Sequence, residues 1–203
     1  CLSGDDDALE VARATGDSIL RTFNDPDRRR KFWHFSRELG WALLYLATLA
    51  DLTGEQRFLG CAEDLAKTLA NHPLDRDLTR DMTLYAFGYS SIAMGVEALW
   101  KRTRNPELAA WLQSTAHAVA AHVEEETAAE SAMALNSFNA SLAIFPRDEQ
   151  VLQAGMRIVD SLTDSNTWYD PPRFTKPMAM LYRGLSRFVQ YARAADWPTL
   201  SDV

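Results

Sequence analysis

A helix–turn–helix phrase recurs about every 45 to 50 residues along this chain, each time behind a segment of aromatic and polar residues. The first copy spans 42–59 and turns at Leu52-Thr53-Gly54, and the second spans 92–108 and turns at Arg102-Thr103-Arg104-Asn105. Thr53 and Thr103 stand 50 residues apart at the same point of the turn; a weaker third copy over 140–152 puts Gln150 44 residues after Pro106. Self-similarity at this period marks stacked helical hairpins, because one hairpin alone cannot bury its apolar face. The phrase therefore constrains architecture and leaves chemistry to other parts of each repeat.

Local signals divide the chain into eight helices, over about 5–23, 36–51, 55–71, 84–102, 106–125, 129–144, 147–163 and 177–195. Asp5-Asp6-Asp7 offers capping oxygens and negative charge at the first helix start, and Asn24-Asp25-Pro26-Asp27 breaks that helix. The second helix is apolar nearly all round, as a buried helix is, whereas the third alternates Glu63, Asp64 and Lys67 with Phe58, Leu65 and Leu69. This alternation of an apolar helix with an amphipathic one repeats, and no strand-like pattern competes with it. His72-Pro73 closes the third helix, and Pro177 opens the last one. The expected fold is all-α, with antiparallel helical hairpins in two layers.

With 203 residues and 47% hydrophobic content, one domain covering 1–203 is expected. A formal net charge of −7 and a sequence pI near 5.1 argue against a nucleic-acid partner, whose phosphates need a basic patch. Arg28-Arg29-Arg30-Lys31 follows Asp25 and Asp27 and reads as a solvated loop. No apolar run approaches the roughly 20 residues of a membrane span. Cys1 and Cys61 do not fix a redox compartment, and Cys1 fits a cleaved lipoprotein, a trimmed chain or a cut within a longer protein.

The stretch 32–46, which contains Phe32-Trp33-His34-Phe35-Ser36-Arg37-Glu38, is followed by Leu52-Thr53-Gly54-Glu55, and Tyr85-Ala86-Phe87-Gly88-Tyr89 stands before the second apolar helix. In this order of parts the chain resembles the six-hairpin α/α-toroid carbohydrate enzymes, with polysaccharide lyase-like and glycosidase-like helical domains among them. The resemblance implies a ring of inner helices whose starts converge on one funnel, and a glycan or oligosaccharide as the partner. Eight helices are fewer than six hairpins hold, so the chain is expected to be a small or incomplete α/α toroid, a fragment of a longer protein whose remaining domains are further partners. A secreted, periplasmic or lipid-anchored location follows from the glycan reading.

Four segments enter the apolar helices and are candidates to line such a funnel: Trp33 to Glu38, Tyr85 to Tyr89, Asn136 to Asn139, and Trp168 to Arg173. Sugars need flat apolar faces against their C–H surfaces and directional hydrogen bonds to their hydroxyls, and these segments hold both. Trp33, Arg37, Tyr89, Asn136, Asn139, Trp168, Asp170 and Arg173 are the expected substrate-binding residues. His34, Glu38, Tyr85 and Tyr169 are the catalytic candidates. A lyase acting on a uronic acid needs a cation for the carboxylate, Arg37 or Arg173, and a base, His34, Tyr85 or Tyr169. A glycosidase needs two carboxylates across the sugar, from among Glu38, Asp81 and Asp170. Against this stands a simple ion pair of Arg37 with Glu38 at a helix start. No cofactor or metal is expected, since His117 and His122 are five residues apart and miss the four-residue step that puts two histidines on one helical face. Trp41, Trp100 and Trp111 read as core. The rival to a carbohydrate-active domain is a non-catalytic helical-repeat scaffold for a protein or peptide partner.

Overall fold

A computed structural model describes residues 6–28, 37–70, 82–123, 130–163 and 175–197. The described residues form helices and no strands: α1 (Asp6–Asn24), α2 (Arg37–Thr53), α3 (Gln56–Ala70), α4 (Met82–Thr103), α5 (Pro106–Val123), α6 (Ala134–Leu142), α7 (Glu149–Thr163) and α8 (Thr175–Ala194). A 3-10 turn, Glu130–Met133, leads into α6. The sixth helix is shorter than its periodicity suggests. At its end the N–H groups of Ile144 and Phe145 both turn back to the Ser141 carbonyl, and Pro146 then denies the next residues a helical continuation. No described helix is long and apolar enough to cross a membrane.

The even-numbered helices form a row in which α2 packs on α4, α4 on α6 and α6 on α8. Of the odd-numbered helices, α3 lies chiefly on α2, α5 on α4 and α6, and α7 on α5 and α6, while α1 rests on α2 and α3. The pair α2–α4 is the closest, and glycines explain why. A Cβ on Gly40 would run into the Ser91 carbonyl and the Ile92 nitrogen, and one on Gly95 would lie 2.6 Å from the Gly40 carbonyl oxygen. Gly40 meets Ser91 near one end of the pair and Asp51 meets Arg102 at 3.3 Å near the other. Both pairs are 51 residues apart, so the two helices run parallel at an offset within one residue of the 50-residue spacing of Thr53 and Thr103.

The two turn phrases are built alike. Thr53 Oγ1 donates to the Leu49 carbonyl at 2.7 Å and accepts the Glu55 N–H, while Thr103 Oγ1 donates to the Leu99 carbonyl at 3.1 Å and accepts the Asn105 N–H. In each, the next residue takes a left-handed conformation, Gly54 at φ 71° and Arg104 at φ 55°. Glycine adopts it freely; Arg104 does so while its guanidinium stacks 4.3 Å from the Trp100 ring centre. The turns are therefore closed by side-chain bonds local to them.

Burial follows the alternation of the sequence. In α2, Leu39, Leu43, Leu46, Leu49 and four small residues are buried, as expected of a helix covered on several sides. In α3, Phe58, Ala62, Leu65 and Leu69 are buried while Glu63, Asp64 and Lys67 face solvent. Trp100 and Trp111 pack partly buried against the core. Two clusters of buried residues, one around α2 and α3 and one around α6 and α7, share α4, α5 and, through Ala140, α6, so these three helices tie the halves together. His117 of α5 and Asp148 at the start of α7 add a polar link at 2.7 Å, and Asp148 Oδ1 also accepts the Val151 N–H of the first turn of α7.

Candidate ligand cleft

Each even-numbered helix sends side chains to one cleft of about 330 Å³. Leu44 and Asp51 come from α2, Met94, Glu97, Ala98 and Lys101 from α4, Asn136 and Asn139 from α6, and Arg187 from α8. Helical spacing accounts for the grouping, because residues three, four or seven apart share a face: 44 with 51, 94 with 97, 98 and 101, and 136 with 139. None of the lining residues belongs to an odd-numbered helix.

Glu97 holds the floor together. Its residue is 4% exposed, a degree of burial that a carboxylate tolerates only with partners. Arg187 supplies two, with Nη1 donating to Oε2 at 2.9 Å and Nη2 to Oε1, and Lys101 Nζ donates to Oε1 at 2.7 Å. Arg187 Nη2 also reaches the Tyr191 hydroxyl at 3.0 Å. The hydrogen bonds to Glu97 hold the Arg187 guanidinium protonated well above its usual range, outweighing the opposite push of burial. With both oxygens accepting from cations, Glu97 is a structural anchor of the cleft.

Asn139 is different. Its residue is 2% exposed, and its Nδ2 donates to the Gly184 carbonyl of α8 at 2.8 Å. A carbonyl can only accept, so the orientation of the amide is fixed by chemistry and Oδ1 is the atom left over. That oxygen accepts no hydrogen bond among the described residues. Thr115 Oγ1, Ser137 Oγ and Ser141 Oγ share this condition, but a hydroxyl in a helix can swing to the carbonyl three or four residues earlier, and none of these residues lines the cleft.

Of the residues singled out from sequence, Asn136 and Asn139 come together here with Glu97, Lys101 and Arg187. Arg37 and Glu38 pair with each other at 3.1 Å at the start of α2, both about half exposed. Glu38 lines a separate shallow groove with Ile19 and Phe23 of α1 and Trp41, Ala42 and Tyr45 of α2. Tyr89 is corrected from a sugar-facing ring to a core residue: α4 begins at Met82, so position 89 is already well inside the helix, and its side chain is 2% exposed among Val119, Ala120 and Phe138. Tyr85 lies on α4, but its side chain is outside the described residues, as are Trp33, His34, Asp81, Trp168, Tyr169, Asp170 and Arg173. The cleft's apolar wall is aliphatic, from Leu44, Met94 and Ala98.

Sequence reasoning passed over Asp51, Glu97, Lys101 and Arg187. Glu97 carried a signal: a lone acid in a run of Ala, Met, Gly, Val and Leu, with Lys101 four residues on. Its main partner, 90 residues away, carried none.

By architecture the described residues define an all-α protein of packed helical hairpins. No protein-family model matches the chain, and neither the curated proteins nor the solved structures yielded a match.

Proposed function

We propose that this chain is a small or incomplete α/α-toroid domain that takes up a glycan at the face of its even-numbered helices. One observation supports this most: four helices contribute to a single cleft that sets hydrogen-bond donors and acceptors beside aliphatic carbons, the combination a sugar ring requires. Binding is the role that suits the cleft. Among its described residues the two carboxylates, Asp51 and Glu97, are both ion-paired with cations, whereas hydrolysis asks for one free to act as acid and one as base or nucleophile. Cleavage, in this reading, belongs to the helix starts, with His34 and Tyr169 before α2 and α8 in sequence and Glu38 and Tyr85 in the first turns of α2 and α4 as its candidates.

A second reading, a non-catalytic scaffold for a peptide, draws on the groove between α1 and α2, whose walls include Ile19, Phe23, Trp41 and Tyr45. Incubation of the chain with a glycan array separates the two. Retention of a defined set of glycans is expected, with any turnover abolished by joint replacement of His34 and Tyr85. Silence on the array, with a peptide library retained at the α1–α2 groove, contradicts the glycan reading.

A further inference from the structure

Lys101 and Arg187 both close on the one carboxylate of Glu97, so that group of three carries a net positive charge. The other acid of the cleft, Asp51, is matched by Arg102 at 3.3 Å. Three cations thus meet two carboxylates at and beside the cleft, although the chain as a whole has a formal net charge of −7. Charges elsewhere on the surface act on the cleft only weakly, because salt screens them beyond about 8–10 Å. Glu97 is buried, and its bonds keep both cations from drifting into solvent.

The hydrogens not spent on Glu97 define what the cleft can hold. Among the described residues, Lys101 Nζ gives one hydrogen to Glu97 and keeps two, while Arg187 gives two to Glu97 and one to Tyr191 and keeps two of its five. The side chains of Lys101 and Arg187 are 55% and 36% exposed, so a ligand can reach both. The half-buried Asn136 amide lines the same cleft, whereas Asn139 Oδ1 is closed off from it by burial and takes no part. An anionic oxygen gains from these donors and from the surplus charge; a sugar hydroxyl gains from the donors alone. From this we infer that the cleft is a subsite for a sugar unit bearing an acidic group, a carboxylate or a sulfate ester, held by Lys101 and Arg187; the inference rests on the glycan reading above. Leu44, Met94 and Ala98 take the C–H surface of that unit.

Titration calorimetry of the full chain with galacto-oligosaccharides, oligogalacturonate and sulfated galacto-oligosaccharides of one length tests it, the two acids telling a carboxylate from a sulfate. At least one acidic oligomer is expected to bind about tenfold more tightly than the neutral one, by a margin that shrinks as salt is raised. Lys101→Met is expected to remove most of that margin and Lys101→Arg to keep it, with melting curves like the parent's. Lys67→Met takes the same charge from the solvent face of α3 and is expected to leave the margin unchanged. No preference for either acid, a preference undiminished in Lys101→Met, or an equal loss in Lys67→Met overturns the acidic subsite while the glycan reading stands. Failure of every oligosaccharide to bind overturns both.

Discussion

Glu97 sits on a helix that is otherwise apolar on most sides, and Arg187 and Lys101 meet its two oxygens there. Buried ion pairs of this kind seldom add much net stability, but breaking one from a single side leaves an uncompensated charge. Arg187→Met strands the carboxylate with Lys101 alone; allowing for the solvent that already reaches Arg187, the expected cost is about 2 kcal/mol in urea denaturation. Replacing Glu97 by Met as well is expected to restore part of that loss, whereas additive losses in the double variant contradict the account. Glu55 makes a second test at this scale. Hydrogen bonds from Arg13 and then Arg57 hold its carboxyl below the ordinary glutamate value. A depressed acid contributes stability above its ordinary value of 4.5, and the contribution is lost as pH falls below that through the folded-state value. Thermal melts are therefore expected to lose more between pH 5 and pH 3 in the parent than in Glu55→Gln, and the difference is expected to shrink in high salt.

At the level of helices, α2 and α4 are joined by contact between backbones, with Gly40 against Ser91 and Ile92 and Gly95 against Gly40 and Leu43. An added methyl at position 40 meets main-chain atoms that no rotamer change can move aside. Gly40→Ala is expected to cost about 2–3 kcal/mol, the upper range for overpacking, by urea denaturation. Since Leu44 and Asp51 approach Lys101 and Glu97 across this same pair, the variant is also expected to bind a cleft ligand more weakly; unchanged stability contradicts the close packing. The helices and their turns were readable in advance because their causes are local. Thr53 and Thr103 each bond to a carbonyl four residues earlier and an N–H two residues later, so a short phrase contains all the partners it needs. Helix α6 is shortened chiefly at its start, where Glu130–Met133 form a 3-10 turn, and by two residues at its end ahead of Pro146, and the periodicity alone registered neither.

Across the whole molecule, the repeat became a parallel register between α2 and α4, and the even-numbered helices became one row facing one cleft. The site itself was legible only in part. Asn136 and Asn139 could be placed together because three residues set their face, but Glu97 and Arg187 meet across 90 residues, a distance over which no spacing rule operates. Tyr89 misled for a related reason: an aromatic between polar residues resembles an entrance segment until the start of α4 at Met82 turns it inward. A crystal structure of the chain with a bound oligosaccharide tests the central claim most directly. The sugar is expected between α2, α4, α6 and α8, with its ring against Leu44 and Met94. A sugar found instead in the α1–α2 groove contradicts it.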